Sequence, residues 1–370
     1  MKKEALLTVF LLSGLTSMAQ TNITHYTPGV STEGVVYYLP KTAINVNITI
    51  EKSNYTPGEL CQYAERYLRI SNISRAEDIH YTLKSTTLTT EGLPDASKAY
   101  HIKFATNTVA PLVNLSESGL LISINTPHTP EEKAVTASTS KSLSPLPNPR
   151  DYMTEEMLMT GSKAKLAELV AKEIYDIRES RNLLLRGQNE NVPKDGEAMN
   201  IILDGMQKQE QALLQLFTGT TTTETITQTF QIIPEGNAEK VILGRFSRKL
   251  GLLHPDDLAG MPIYIDIKGS NTVAKPVEEP QSIQKGKSKS KSKAKSTKEN
   301  KQDGIVYNVP ERASVKVYTN SQTLAEETPS VSQFGNTETL SSTFFSKKKN
   351  IKVTFDPHTG ALLKVEEQTK

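Results

Sequence analysis

The stretch Ile44-Asn45-Val46-Asn47-Ile48-Thr49-Ile50 alternates β-branched apolar residues with short polar ones. A period of two sends one set of side chains to a core and the other to solvent, which is the pattern of a half-buried strand. Similar alternation recurs at Ile79/Tyr81/Leu83, Tyr100/Ile102/Phe104 and Leu120/Ile122/Ile124. Residues 20–125 therefore read as a β-rich N-terminal domain. It carries one helix, predicted over 59–68, where Leu60, Tyr63, Ala64, Tyr67 and Leu68 recur at helical spacing behind the breaker Pro57-Gly58. Gly92-Leu93-Pro94-Asp95 predicts a turn between two strands.

Residues 126–150 hold five prolines among Ser, Thr, Lys and Glu and read as a linker. The clearest local pattern follows in 151–219, an antiparallel helical hairpin. Leu166, Val170, Ile174, Ile177, Arg181 and Leu184 share one helical face behind Ser162 as N-cap. Asp195 opens a second helix whose apolar face is Met199, Leu203, Met206, Leu213 and Phe217, ended by Gly219. With one face otherwise wet, the hairpin is expected to dock on a sheet. Gln209 and Glu210 interrupt that face and predict a polar contact with Lys172 or Glu173 across the hairpin.

Residues 220–269 read as strands. Thr221, Thr223, Thr225, Thr227 and Thr229 fall on one side of the first, and Ile226, Phe230 and Ile232 on the other; 241–246 and 263–267 supply two more. A Lys/Ser-rich stretch, 270–303, reads as a disordered linker. A C-terminal β module, 304–370, has strands at 304–310, 315–319, 351–355 and 361–366, with a turn at 356–360. The fold class is α+β: antiparallel, sandwich-like β modules at both ends and a central antiparallel helical hairpin.

The two ends echo each other. Glu33-Gly-Val-Val-Tyr-Tyr-Leu-Pro40 matches Asp303-Gly-Ile-Val-Tyr-Asn-Val-Pro310, and Ser118-Gly-Leu-Leu-Ile-Ser-Ile matches Thr359-Gly-Ala-Leu-Leu-Lys-Val more weakly. Gly and Pro punctuate many short strands; the sharper reading is a pair of related β modules bracketing the hairpin.

The net charge of +2 conceals an asymmetry: 285–301 holds eight lysines and one glutamate, so it carries +7 and the rest of the chain 2 − 7 = −5. Lys285, Lys287, Lys289, Lys291, Lys293 and Lys295 could meet an anionic surface weakly or serve as a solvated tether. The lone Cys61 excludes an intrachain disulfide. The six histidines form no metal-ligand spacing, and there is no nucleophile elbow, phosphate loop or dinucleotide fingerprint. No catalytic residue, cofactor or metal ligand is assigned. Consecutive Tyr37 and Tyr38 must face opposite sides of a strand, so one of them is a candidate partner contact, against the plainer reading of a tyrosine covering a sheet edge.

Residues 1–19 combine Lys2 and Lys3, a short apolar run from 5 to 15, and the small residues Ser17 and Ala19, the layout of a removed export signal. No later apolar segment is long enough for a membrane-spanning helix. The expected location is outside the cytoplasm, which makes nucleic acid a poor partner.

Several segments resemble a family of exported, functionally uncharacterised Bacteroidota proteins, a domain-of-unknown-function family. They are GVVYYLPKTA (34–43), YTPGELCQYAERYL (55–68), IYDIRESRNLLLRG (174–187), QALLQLFTG (211–219), GRFSRKLGLL (244–253), LAGMPIYIDI (258–267), GIVYNVP (304–310), QFGN (333–336) and FDPHTGALLKV (355–365). The resemblance implies export to a bacterial envelope, in the periplasm or at the cell surface, and whole-chain architecture, and brings no activity or catalytic residue. The leading expectation is a non-enzymatic cell-envelope scaffold that binds another protein or an envelope polymer. The alternatives are a hydrolase of such a polymer, with carboxylates gathered only by the fold, and a glycan-binding module using tyrosines.

Overall fold

A computed structural model of the chain describes residues 22–29, 34–103, 112–126, 146–188, 195–273, 304–341 and 351–367. The export signal, the lysines of 285–301 and most of both expected linkers lie outside these residues.

In chain order the elements begin with β1 (Asn22–His25) and β2 (Val35–Thr56), then a 3-10 turn (Cys61–Tyr63) leading into α1 (Ala64–Leu68). Next come β3 (Asp78–Lys103), β4 (Val113–Leu115) and β5 (Leu121–Ile124). The helical part is α2 (Glu155–Leu158), α3 (Lys163–Leu185) and α4 (Gly196–Thr218). After it run β6 (Thr220–Ile232), β7 (Ala238–Ser247), β8 (Gly251–Leu253) and β9 (Met261–Gly269). The chain closes with β10 (Gly304–Thr319), β11 (Thr323–Glu327), β12 (Ser330–Ser341), β13 (Ile351–Phe355) and β14 (Leu362–Glu367). The α+β architecture with a central antiparallel hairpin is the one expected.

The strands form three antiparallel sheets, ordered β1-β3-β2-β6, β11-β10-β9-β7-β8 with β12 also on β10, and β14-β13-β5-β4. Two sandwich cores lie between them. In the first, Ile44, Val46, Ile48 and Ile50 of β2 meet Ile263, Ile265 and Ile267 of β9 and Val315 and Val317 of β10. In the second, Tyr37 and Leu39 of β2 meet Ile305 and Val306 of β10, together with Ile124, Val353 and Phe355. The two ends of the chain thus share both cores.

The long strands β2 and β10 each pass from one core to the other, and the echoed motif marks the crossing. The register of β2 against β3 shifts between Tyr38 and Pro40, and that of β10 against β12 between Val309 and Glu311, around Pro310. Proline has no N–H for the ladder, so a bulge at this position re-aims the strand at no further loss of hydrogen bonds. The weaker echo serves the same joint: Tyr38 N–H donates to Gly119 O at 3.0 Å, and Asn308 N–H to Gly360 O at 3.1 Å. Gly119 and Gly360 both have positive φ, +81° and +73°, which suits their turns.

Several expectations need correction. Residues 92–95 make no turn; they continue β3, with Gly92, Leu93 and Pro94 opposite Thr42, Lys41 and Pro40. The two prolines face each other where the ladder is already interrupted, so the chain stays extended. The segments 304–310 and 315–319 are one strand, and β8, β11 and β12 have too little alternation to announce themselves. The hairpin does not dock on a sheet. Its core of Val170, Ile174, Leu213 and Phe217 packs on Leu60, Ala64, Leu68 and Met157, with no strand residue among its members. Each such fully buried side chain contributes about 1.5–3 kcal/mol, and the short helical segment after β2 supplies the apolar surface that a sheet was expected to provide. Asp195 caps α4 as expected, accepting from Glu197 N at 3.3 Å, whereas the Ser162 side chain makes no capping bond.

Candidate functional site

Tyr37 and Tyr38 do face opposite ways. Tyr37 is fully buried, so its ring cannot reach an outside partner; that half of the expectation is corrected by the depth of the second core. Its hydroxyl donates to Val306 O at 3.2 Å and accepts from Val306 N at 3.0 Å, and its ring stacks on Tyr100 at 5.6 Å. Burial pushes the phenol far above its usual range, only partly opposed by the Val306 bond. Tyr38 is half-buried, with its ring against Gly119. The pair is joined by a second polar tie between the chain ends. Thr42 N–H donates to Ser332 Oγ and Ser332 N–H to Thr42 Oγ1, at 3.2 and 3.1 Å, while Asn308 Nδ2 donates to Pro40 O at 2.9 Å.

The concave surface lies elsewhere, on the outer face of β9 and β10. Since Ile263, Ile265, Ile267, Val315 and Val317 point inward, Tyr264, Asp266, Lys316 and Tyr318 point outward. Tyr264 and Tyr318 are directly opposite, their rings stacked at 5.5 Å and 30°. The Tyr318 hydroxyl donates to Asp266 Oδ1 at 3.1 Å, and partial burial followed by that bond raises its pKa. Beside them is a shallow depression of about 340 Å³ bounded by Asp266, Lys316, Tyr318, Asn320 and Gln322. A second, of about 430 Å³, is bounded by Lys268, Ser270, Arg312 and Ser314. An aromatic face beside a carboxylate and side-chain amides can stack on an apolar sugar face and bond to hydroxyl groups.

The hairpin supplies a third feature. Glu210, 8% exposed, accepts from Arg178 Nε at 2.6 Å and Arg181 Nη1 at 2.9 Å. The cross-hairpin polar contact is therefore real, but for Glu210 its partners are arginines; Gln209 does reach Glu173, at 3.5 Å. Toward the end remote from α1, Leu183, Leu185, Ile201 and Ile202 are exposed at 38%, 60%, 68% and 39%.

The loop with His254, Asp256 and Asp257 is a turn: Asp256 N–H donates to His254 Nδ1, and Asp257 Oδ1 accepts from Ala259 N. Among the described residues no three His, Cys, Asp or Glu side chains are grouped to hold a metal. No described helix is long and apolar enough to cross a membrane.

A family model described as "Domain of unknown function (DUF4831)" matches residues 33–363. The chain belongs to that family. The DUF4831 match begins just before β2 and ends in β14, so it includes both copies of the echoed joint and the hairpin between them. No curated protein and no solved structure matches the chain.

The outward set on β9 and β10 escaped the sequence reading, although both strands were expected and parity alone places Tyr264 with Asp266 and Lys316 with Tyr318. Missing was the pairing of the two strands across the intervening segment, which no local pattern encodes.

Proposed function

We propose that this DUF4831 protein is exported to the cell envelope and acts there as a non-enzymatic scaffold that holds another protein. Export rests on the layout of residues 1–19. The observation that carries the scaffold reading is the exposed apolar end of the hairpin, Leu183, Leu185, Ile201 and Ile202. Large apolar side chains left exposed near the ends of two paired helices favour a protein partner over bulk water. Affinity purification from the native envelope under crosslinking tests it, with Leu185→Glu/Ile201→Glu compared against wild type. The double variant should fold normally and lose the partner recovered with wild type. Equal recovery, or turnover of an envelope polymer by the purified protein, contradicts the reading.

A second reading, a glycan-binding module, is favoured by the Tyr264–Tyr318 pair beside Asp266. Titration with envelope saccharides should then show binding that Tyr318→Ala abolishes; no binding by wild type removes this reading.

A further inference from the structure

We infer that β6 pairs with β6 of a second copy of this chain, joining two sheets edge to edge across a two-fold axis at Ile226. A strand edge presents unpaired N–H and C=O groups and templates another strand unless something blocks it. β6 is an edge strand of 13 residues, paired with β2 on one side and with no other described strand on the other. Nine of its residues are exposed, including all of 221–225, so both of its faces are open there.

The other edges carry the usual blocks. The outer side of β3 holds Gly92-Leu93-Pro94-Asp95, and its Tyr81 N–H already donates to Arg248 O at 2.8 Å. β4 and β8 have three residues each, β11 has five and carries Glu326 and Glu327, and β14 carries Lys364, Glu366 and Glu367. β12 is bulged against β10 and tied to Thr42 through Ser332 and Gln333. β6 has neither proline nor lysine, and its single charge, Glu224, sits 3.8 Å from Lys52 of the neighbouring strand.

A second copy is the occupant because the strand is complementary to itself. The antiparallel register that pairs β6 along its whole length sets Ile226 against Ile226, which extends the apolar side that already covers the first core. It sets Thr225 against Thr227 and Thr223 against Thr229, cross-strand pairs whose hydroxyls can bond each other. Glu224 falls opposite the Gln228 amide, and no like charges meet.

Light scattering and sedimentation of the purified chain over a concentration series test the inference. Wild type should reach twice the chain mass at high concentration. Thr225→Glu/Thr227→Glu places carboxylates opposite each other in this register and should leave a folded monomer with the circular dichroism of wild type. It should melt somewhat lower, because the carboxylate at 225 also faces Glu51 of β2, the Thr227 bond to Thr49 is lost and the stabilisation by association is gone. Thr225→Glu/Thr227→Lys sets each Glu against a Lys of the other copy and should restore the dimer. A wild-type chain that stays monomeric overturns the inference, whether another protein or another part of the chain covers the edge. So does a dimer indifferent to the Glu/Glu change, or a Glu/Lys variant that stays monomeric.

Discussion

Replacing Tyr37 by Phe removes one oxygen atom and leaves the ring volume in place, so it isolates the joint between the chain ends. That oxygen satisfies both the N–H and the C=O of Val306, which lies 269 residues further along and is 2% exposed. Each buried backbone group left without a partner costs about 1–3 kcal/mol. The two together predict a loss of about 2–6 kcal/mol, with no cavity contribution because the ring remains. Urea unfolding followed by circular dichroism measures it. Tyr307→Phe is the control: Tyr307 is half-buried on β10 next to Val306, its hydroxyl makes no hydrogen bond among the described residues, and its loss should cost under about 0.5 kcal/mol. The raised Tyr37 pKa adds a pH signature. The folded state keeps the phenol neutral while the unfolded chain ionises it near pH ~10. Stability that is complete below that pH should therefore fall as pH rises beyond it, and Tyr37→Phe should fall less steeply than wild type. Equal losses for the two variants at neutral pH would refute the reasoning.

Two other predictions concern charge. Glu210→Ala leaves two arginines facing each other over the hairpin core; since each is about one-third exposed and can rehydrate, the loss should be about 1–3 kcal/mol. Glu224→Ala, at an exposed pair 3.8 Å long, should cost under about 0.5 kcal/mol in the same unfolding assay, and comparable losses would contradict the difference in burial. The Asp78 carboxyl is held below the usual range by its bond from Lys249, with His80 adding to it. Its contribution to stability is therefore present above about pH 4 and disappears as pH falls through the depressed value. NMR titration should place that value below the ordinary one in wild type and return it upward in Lys249→Ala; an unmoved value in the variant refutes the assignment.

Local pattern was legible in the sequence, and long-range pairing was not. The alternation in 44–50 and the apolar faces of α3 and α4 report what each segment buries, and these elements form where expected. The echo around Pro40 and Pro310 was visible as a motif, but its task was not: only the structure shows each proline at the point where a strand leaves one core for the other. The same limit explains the error at 92–95, since Pro94 signals a turn unless a second proline, Pro40, stands opposite it. The hairpin was misplaced because, although the apolar face of 59–68 was legible by its helical spacing, no local pattern says that Leu60, Ala64 and Leu68 pack on α3 and α4 and that a sheet does not. For the candidate sites, parity could have paired Tyr264 with Asp266, but neither the stacking on Tyr318 nor the open edge of β6 follows without knowing the strand order.

The central structural claim is that both ends of the chain build the same two cores. A protease site placed between residues 273 and 304, cut in the folded protein, tests it directly. The fragment carrying β10 to β14 should stay bound to the remainder through native chromatography, and both should unfold in one urea transition. Fragments that separate without denaturant, or unfold independently, would contradict it.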